Sequence, residues 1–516
     1  MNMKDAYEEI CRTIKAYTAK NEAGLYRIPT EHRRPLLLMG PPGIGKTAVV
    51  KQAAEASGVA FFSCAMTHHT RQSAIGLPVI RERSFRGTPY SITEYTMSEI
   101  VGDVLRIMEE TGLEEGILFL DEINCVSETL LPSMLRLLQF KTFGSHRIPD
   151  GWILAAAGNP PGRGNPSARE PDIVTLDRVR LLSLEPDLDA WRPYALKKTI
   201  HGAILSYLSL RPEHFYILRR GKNGKEFVTP RGWEDLSETL ETYESLSLPV
   251  NEQFVSQFLQ CQEVSEGFSS YYRLFQTLAQ TPGLENLTKM GKVPEKFPSL
   301  KDASADEKLS LAGYLVQNIH RQLTAWEERR LLSESLKYFL NGLDACRPDF
   351  STLEEACLSL LAKRSVAFEK KKEFGLLSLQ EERREQLFVS TIKTLASEAK
   401  LFCLVSSQGA FSGQPTGSAI LAPSNRLGKA EPSAPPSQSA AFAVMQSQSE
   451  ALRLQIEKEA LRLEAVFRGV LAFVPRVLGD DLVSCLFFTE LLEQAETKTF
   501  LSGRMKEIYA RFLELT

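Results

Sequence analysis

Between residues 35 and 188, short apolar runs alternate with stretches of helical composition. The runs fall at 36–39, 59–64, 117–120, 152–157 and 179–184, and each is bounded by polar or glycine-rich sequence. That alternation predicts five strands of a parallel, doubly wound sheet wrapped by helices. Upstream, residues 1–34 read as a helix with Ile10, Ile14 and Tyr17 on one face, then a linker through Pro29. Downstream, 189–300 turns helical around one hairpin, whose Asn223-Gly224 pair is a two-residue turn signal. Residues 301–405 are helical and heavily charged, and the runs at 327–330 and 369–373 read as solvated faces.

Ser, Pro, Gly, Ala and Gln then dominate 406–440, a flexible linker by composition. Helical periodicity returns over 441–516, with Leu452, Ile456, Leu461, Leu463, Phe467 and Val470 as an apolar stripe. It reads as a small tethered tail domain. The expected organisation is therefore 1–34, 35–188, 189–300, 301–405, 406–440 and 441–516.

Composition narrows the class without deciding it. The 516 residues are 43% hydrophobic and 24% charged, with a net charge of −3, ordinary for a globular protein. Eight cysteines show no C-x-x-C pair, which predicts reduced thiols rather than a metal site. The first residues are charged, and no run reaches the ~20 apolar residues of a membrane span. A cytoplasmic protein without a membrane segment is expected.

The chemistry begins at Gly40-Pro41-Pro42-Gly43-Ile44-Gly45-Lys46-Thr47, which fits the phosphate-loop pattern G-x-x-x-x-G-K-[ST]. It lies between a predicted strand and a helix over 48–56 that stops at Gly58. Glycines let the backbone turn its N–H groups toward an anion at the helix N-terminus. Lys46 reaches the β- and γ-phosphates, and the Thr47 hydroxyl ligates Mg2+. With Ala48, these residues are the expected contacts of a bound ATP. Four apolar residues then end in Asp121-Glu122, placing Asp121 for Mg2+ and Glu122 as the base that activates water. Asn159, at the tip of the 152–157 strand, is placed to hold that water or the γ-phosphate. Paired carboxylates here favour a hydrolase over a small-molecule kinase.

The ordered set Gly40 to Thr47, Asp121-Glu122, Asn159, Leu176-Asp177-Arg178 and Thr229-Pro230-Arg231-Gly232-Trp233 resembles the AAA+ ATPases, in particular the MoxR-type branch, over about residues 20–290. The resemblance implies a P-loop NTPase α/β core with a helical lid, followed by mostly α-helical C-terminal regions. It implies a ring, usually a hexamer, with ATP between subunits, acting as a chaperone-like remodeller. Asn159 matches the first sensor, Arg231 the second, and Arg178 the arginine finger that reaches into the neighbour's site. The family usually has Phe after the finger. Here Val179 and Arg180 follow, so Arg178 and Arg180 both stand as candidates, with Arg163 and Arg169 weaker ones. Two insertions mark the branch. One holds Gly76 to Ile80, an Arg-rich turn at Arg81, Arg83 and Arg86, and Thr93 to Tyr95; the other is a presumed hairpin over 142–148. Phe85 and Phe143 serve there either as substrate contacts or as core. His68 and His69 read as loop residues, not metal ligands.

The resemblance further implies a protein partner, commonly one with a von Willebrand factor A-type domain. Two other readings compete. A nucleic-acid translocating ring would use Arg219, Arg220, Lys222 and Lys225 with the 81–86 cluster, though the overall charge disfavours nucleic acid. A nucleotide-gated scaffold would use the long C-terminal half for docking.

Overall fold

The computed structural model describes residues 1–85, 88–127, 130–143, 146–162, 168–221, 224–281, 283–346, 352–373, 379–407, 438–479 and 482–515. In chain order its first strands are β1 (Leu36–Met39), β2 (Ala60–Ala65), β3 (Pro78–Phe85), β4 (Thr88–Tyr95), β5 (Gly116–Asp121), β6 (Thr142–Phe143), β7 (His146–Arg147), β8 (Trp152–Gly158) and β9 (Arg180–Ser183). The five expected from the apolar runs make one sheet, in the order β2-β5-β8-β1-β9. Every pairing in it is parallel.

Period-two alternation divides the sheet into two faces. Ile117, Phe119, Leu38 and Ile153 pack with helix α1 (Met3–Thr18) and helix α2 (Lys46–Ser57). Leu118, Leu120, Leu154 and Trp152 pack with helices Glu99–Thr111 and Leu131–Phe140. Buried on both sides, β5 and β8 must be continuously apolar, which is why their runs stand out in the sequence. The Ile10, Ile14 and Tyr17 face of α1 is the buried one. That helix covers the sheet rather than preceding it.

Beyond β9, four helices (Leu188–Lys197, Gly202–Leu210, Pro230–Ser245 and Gln262–Ala279) surround Tyr207, Trp233 and Phe268. The three rings lie 5.4 to 5.9 Å apart, centroid to centroid. The expected hairpin forms as β10 (Ile217–Gly221) and β11 (Gly224–Val228). Lys222, at its turn, falls outside the described residues.

The chain divides into two compact units. The first takes its described residues from Met1–Gln276, Ala305–Gly313 and Glu373–Leu376; the second takes its own from Thr277–Ser304, Tyr314–Lys372 and Leu377–Thr516. In the second, Phe339, Cys357, Phe388, Ile392, Phe442 and Met445 share one core. Segments read separately as 301–405 and 441–516 thus contribute to the same cluster. Gly291, at φ 71°, ends helix Leu284–Met290 against helix Gln438–Leu478. A Cβ there would lie 2.1 Å from the Ala465 carbonyl oxygen.

Three readings need correction. Arg81 and Arg83 lie in β3 of a long antiparallel hairpin, not in a turn, and both pair with Glu94. Leu461 is 56% exposed and leaves the apolar stripe, whereas Ile456, Leu463, Phe467 and Val470 are buried. In the 327–330 run, Arg329 pairs with Glu459 at 2.9 Å, so this stretch is partly an interhelical contact. Most of the 406–440 segment, like Arg86 and Arg163, lies outside the described residues. No described helix is long and apolar enough to cross a membrane.

Candidate nucleotide site

The carboxyl ends of the parallel strands carry the site. After β1 the chain turns through Gly40 to Gly45 into α2, with Gly43 and Gly45 at φ 78° and 96°. Those angles suit glycine alone at low cost. Ile44 is buried in the α1–α2 core and fixes the loop from below, while Pro41 and Pro42 are half-buried and Ala48 is exposed. The opening N–H groups of α2 have no helical acceptors, which makes this end an anion cradle.

Distant segments meet here through short hydrogen bonds. The Lys46 ammonium donates to the carbonyls of Gly40 (2.8 Å) and Pro41 (2.9 Å) and to Asn159 Oδ1 (2.9 Å). Burial pulls its pKa down to about 8, the Arg231 charge adds to the fall, and Asp121 and Glu122 oppose it. The Thr47 hydroxyl donates to Asp121 Oδ2 at 2.7 Å. Asp121 closes β5, and its other oxygen accepts the Glu122 amide at 2.9 Å.

Glu122 occupies left-handed backbone, φ 54°, rare for a residue with a side chain. Its carboxylate accepts the Thr67 hydroxyl at 2.9 Å. Asn159 is braced by Asn124, which accepts its N–H (3.2 Å) and donates to its carbonyl (2.7 Å) and to that of Arg169 (3.0 Å). Neither Thr67 nor Asn124 was singled out from the sequence. An isolated Thr or Asn carries no pattern; only its position just past a strand end or an acidic pair could have flagged it.

Helix Pro230–Ser245 abuts the loop. Thr229 caps it, and a Cβ on Gly43 would lie 2.8 Å from the Thr229 Cβ. The Arg231 amide donates to the Gly43 carbonyl at 3.2 Å, which puts this arginine beside the cradle. Arg178 is not part of the cluster. It follows helix Ile173–Leu176, and its side chain makes no hydrogen bond or ion pair among the described residues. Arg180 is bound to Thr13 Oγ1 at 2.9 Å and to the Glu9 carboxylate.

Phe143 is 1% exposed and is core; the Phe85 side chain is outside the described set. His69 bonds Cys64 Sγ at 3.0 Å and Ser73 Oγ at 3.2 Å. Among the described residues no group of three or more His, Cys, Asp or Glu could hold a metal ion. A hydroxyl and a carboxylate within 2.7 Å of each other are the hard oxygen donors that Mg2+ takes alongside phosphate oxygens, so Thr47 and Asp121 fit that ion.

Residues 35–164 match the family model of the AAA domain, dynein-related subfamily. The matched segment contains the phosphate loop, Asp121-Glu122 and Asn159, and ends before Arg178 and Arg231. The match supports nucleotide binding and an ATP-driven activity for this segment, and proteins with such domains commonly assemble into rings. No curated protein matches the chain.

Proposed function

We propose that this chain is a Mg2+-dependent, ATP-hydrolysing ring protein of the MoxR type that remodels a protein partner. One observation carries the reading: Lys46, Thr47, Asp121 and Asn159, from three separate strand ends, are already joined by hydrogen bonds at one helix N-terminus. Lys46 holds the β- and γ-phosphates. Its low pKa is a cost of burial without a strong counter-charge, and phosphate oxygens supply that charge. Thr47 and Asp121 hold Mg2+, which when bound neutralises charge on the phosphates.

Glu122 takes the proton of the attacking water, Asn159 positions that water, and Arg231 touches the γ-phosphate from the lid side. Arg178 serves the neighbouring subunit's site. A hexamer and a von Willebrand factor A-type partner complete the proposal, in a cytoplasmic setting. The nucleic-acid alternative loses support because three of its basic residues are internally matched: Arg219 pairs with Glu226 and Glu263, and Arg81 and Arg83 with Glu94.

Two variants test the reading against a nucleotide-gated scaffold. Lys46→Ala is expected to lose ATP binding, and Glu122→Gln to bind ATP while phosphate release falls at least ~100-fold. Full partner-linked activity in Glu122→Gln, with hydrolysis abolished, overturns energy-driven remodelling.

A further inference from the structure

At the opposite pole of the sheet, where β1 and β8 begin, two cations are buried without a carboxylate partner among the described residues. Arg33 is 2% exposed and Lys141 is 3% exposed. Arg33 donates to the carbonyls of Ile28 (2.8 Å) and Asp150 (2.6 Å), which leaves its second terminal nitrogen buried and unbonded. The Lys141 ammonium has no hydrogen-bond partner among the described residues.

The two belong to one neighbourhood. The Lys141 carbonyl accepts the Ile148 amide at 2.9 Å, two residues before the Asp150 carbonyl that holds Arg33. The nearest acids are engaged elsewhere and face solvent: Glu31 and Asp150 both pair with Arg147 and are 67% and 58% exposed. Flanking residues carry further buried polar atoms without partners among the described residues, the Thr142 hydroxyl and the Trp152 indole nitrogen. Burial and the Arg33 charge together bring the Lys141 pKa down to about 8. Buried charges are ordinarily paired, and buried donors ordinarily bonded. Arg33 is stacked on the Tyr26 ring, 4.4 Å from its centroid, so what lacks a complement is the Lys141 charge together with the unbonded donors around it, the second Arg33 nitrogen among them.

We propose that this pole is a binding site for a small, free, doubly charged oxyanion of the phosphate or sulfate class, held between Arg33 and Lys141. It is separate from the nucleotide loop. With β1 four and β8 seven residues long, the two ends lie roughly 13–23 Å apart at ~3.3 Å per residue. The near-complete burial of both cations selects a free ion over a phosphoryl group attached to a larger molecule.

The test uses full-length Lys46→Ala protein, so that the phosphate loop does not compete, at constant ionic strength in chloride. Inorganic phosphate and sulfate should each raise Tm by several degrees in a saturable manner, and calorimetry should report one site per chain. Phosphoserine should leave Tm unchanged. Adding Lys141→Met should abolish the phosphate-dependent rise while leaving the protein at least as stable in chloride, since an unpaired buried charge is gone. If that variant fails to fold, the calorimetric titration of the Lys46→Ala protein decides alone. No saturable heat with phosphate overturns the site. So does a rise that survives Lys141→Met (an adventitious ion only), or an equal response to phosphoserine.

Discussion

The Glu122 carboxylate is held by a hydroxyl. Thr67 Oγ1 donates to it at 2.9 Å while the Glu122 backbone sits in the left-handed region. That bond fixes the carboxylate where the donor holds it, and it must be given up before the carboxylate can turn to an attacking water. Removing a hydrogen bond to a charged group, ~1.5 kcal/mol, corresponds to roughly tenfold in rate. Thr67→Ala is therefore expected to raise basal phosphate release up to about tenfold, with ATP affinity unchanged. A fall in rate at unchanged affinity would show instead that Thr67 positions Glu122 for catalysis. Lys46, Thr47 and Asp121 could be read from the sequence because their chemistry is written in contiguous residues at fixed spacing. Thr67 and Asn124 could not, since their partners lie 55 and 35 residues away and are brought near only by strand order.

At the scale of elements, legibility followed burial. Strands β5 and β8 announce themselves because both faces are covered, while the β3–β4 hairpin has little apolar face and mixes Arg81, Arg83 and Glu94 with exposed Ile80 and Tyr90. Nothing in its periodicity demanded a strand. Helix packing in the second unit was equally hidden, because it turns on two glycines far apart in sequence. Gly469 would place a Cβ 2.3 Å from the Gly291 carbonyl oxygen, and Gly291 one 2.1 Å from that of Ala465. Gly291 combines this approach with left-handed backbone. Gly291→Ala should therefore destabilise the second unit by about 2–5 kcal/mol, read as a lower midpoint in denaturant. A change under ~0.5 kcal/mol would mean that helices Leu284–Met290 and Gln438–Leu478 do not approach this closely.

For the whole molecule, the decisive question is whether the site is finished by a second copy. The two candidate fingers differ in what already holds them. Arg180 is anchored to Thr13 and Glu9 of α1, so its loss should lower Tm and leave hydrolysis per folded molecule little changed. Arg178 has no such anchor, and exposed apolar residues flank it: Ile173 is 84% exposed, Val174 51% and Leu181 46%. A cation with no hydrogen bond or ion pair among the described residues, rimmed by exposed aliphatic side chains, suits a surface that a neighbour covers. Arg178→Ala and Lys46→Ala should each be inactive alone, the first for want of the finger and the second for want of the loop. In mixed rings at equal ratio, roughly a quarter of the interfaces join an intact loop to an intact finger by chance, so hydrolysis should reappear and follow the product of the two subunit fractions. Mixed assembly is verified by pull-down of differently tagged chains. If such rings form and release no phosphate at any ratio, Arg178 does not act across the interface, and each site must complete itself within its own chain.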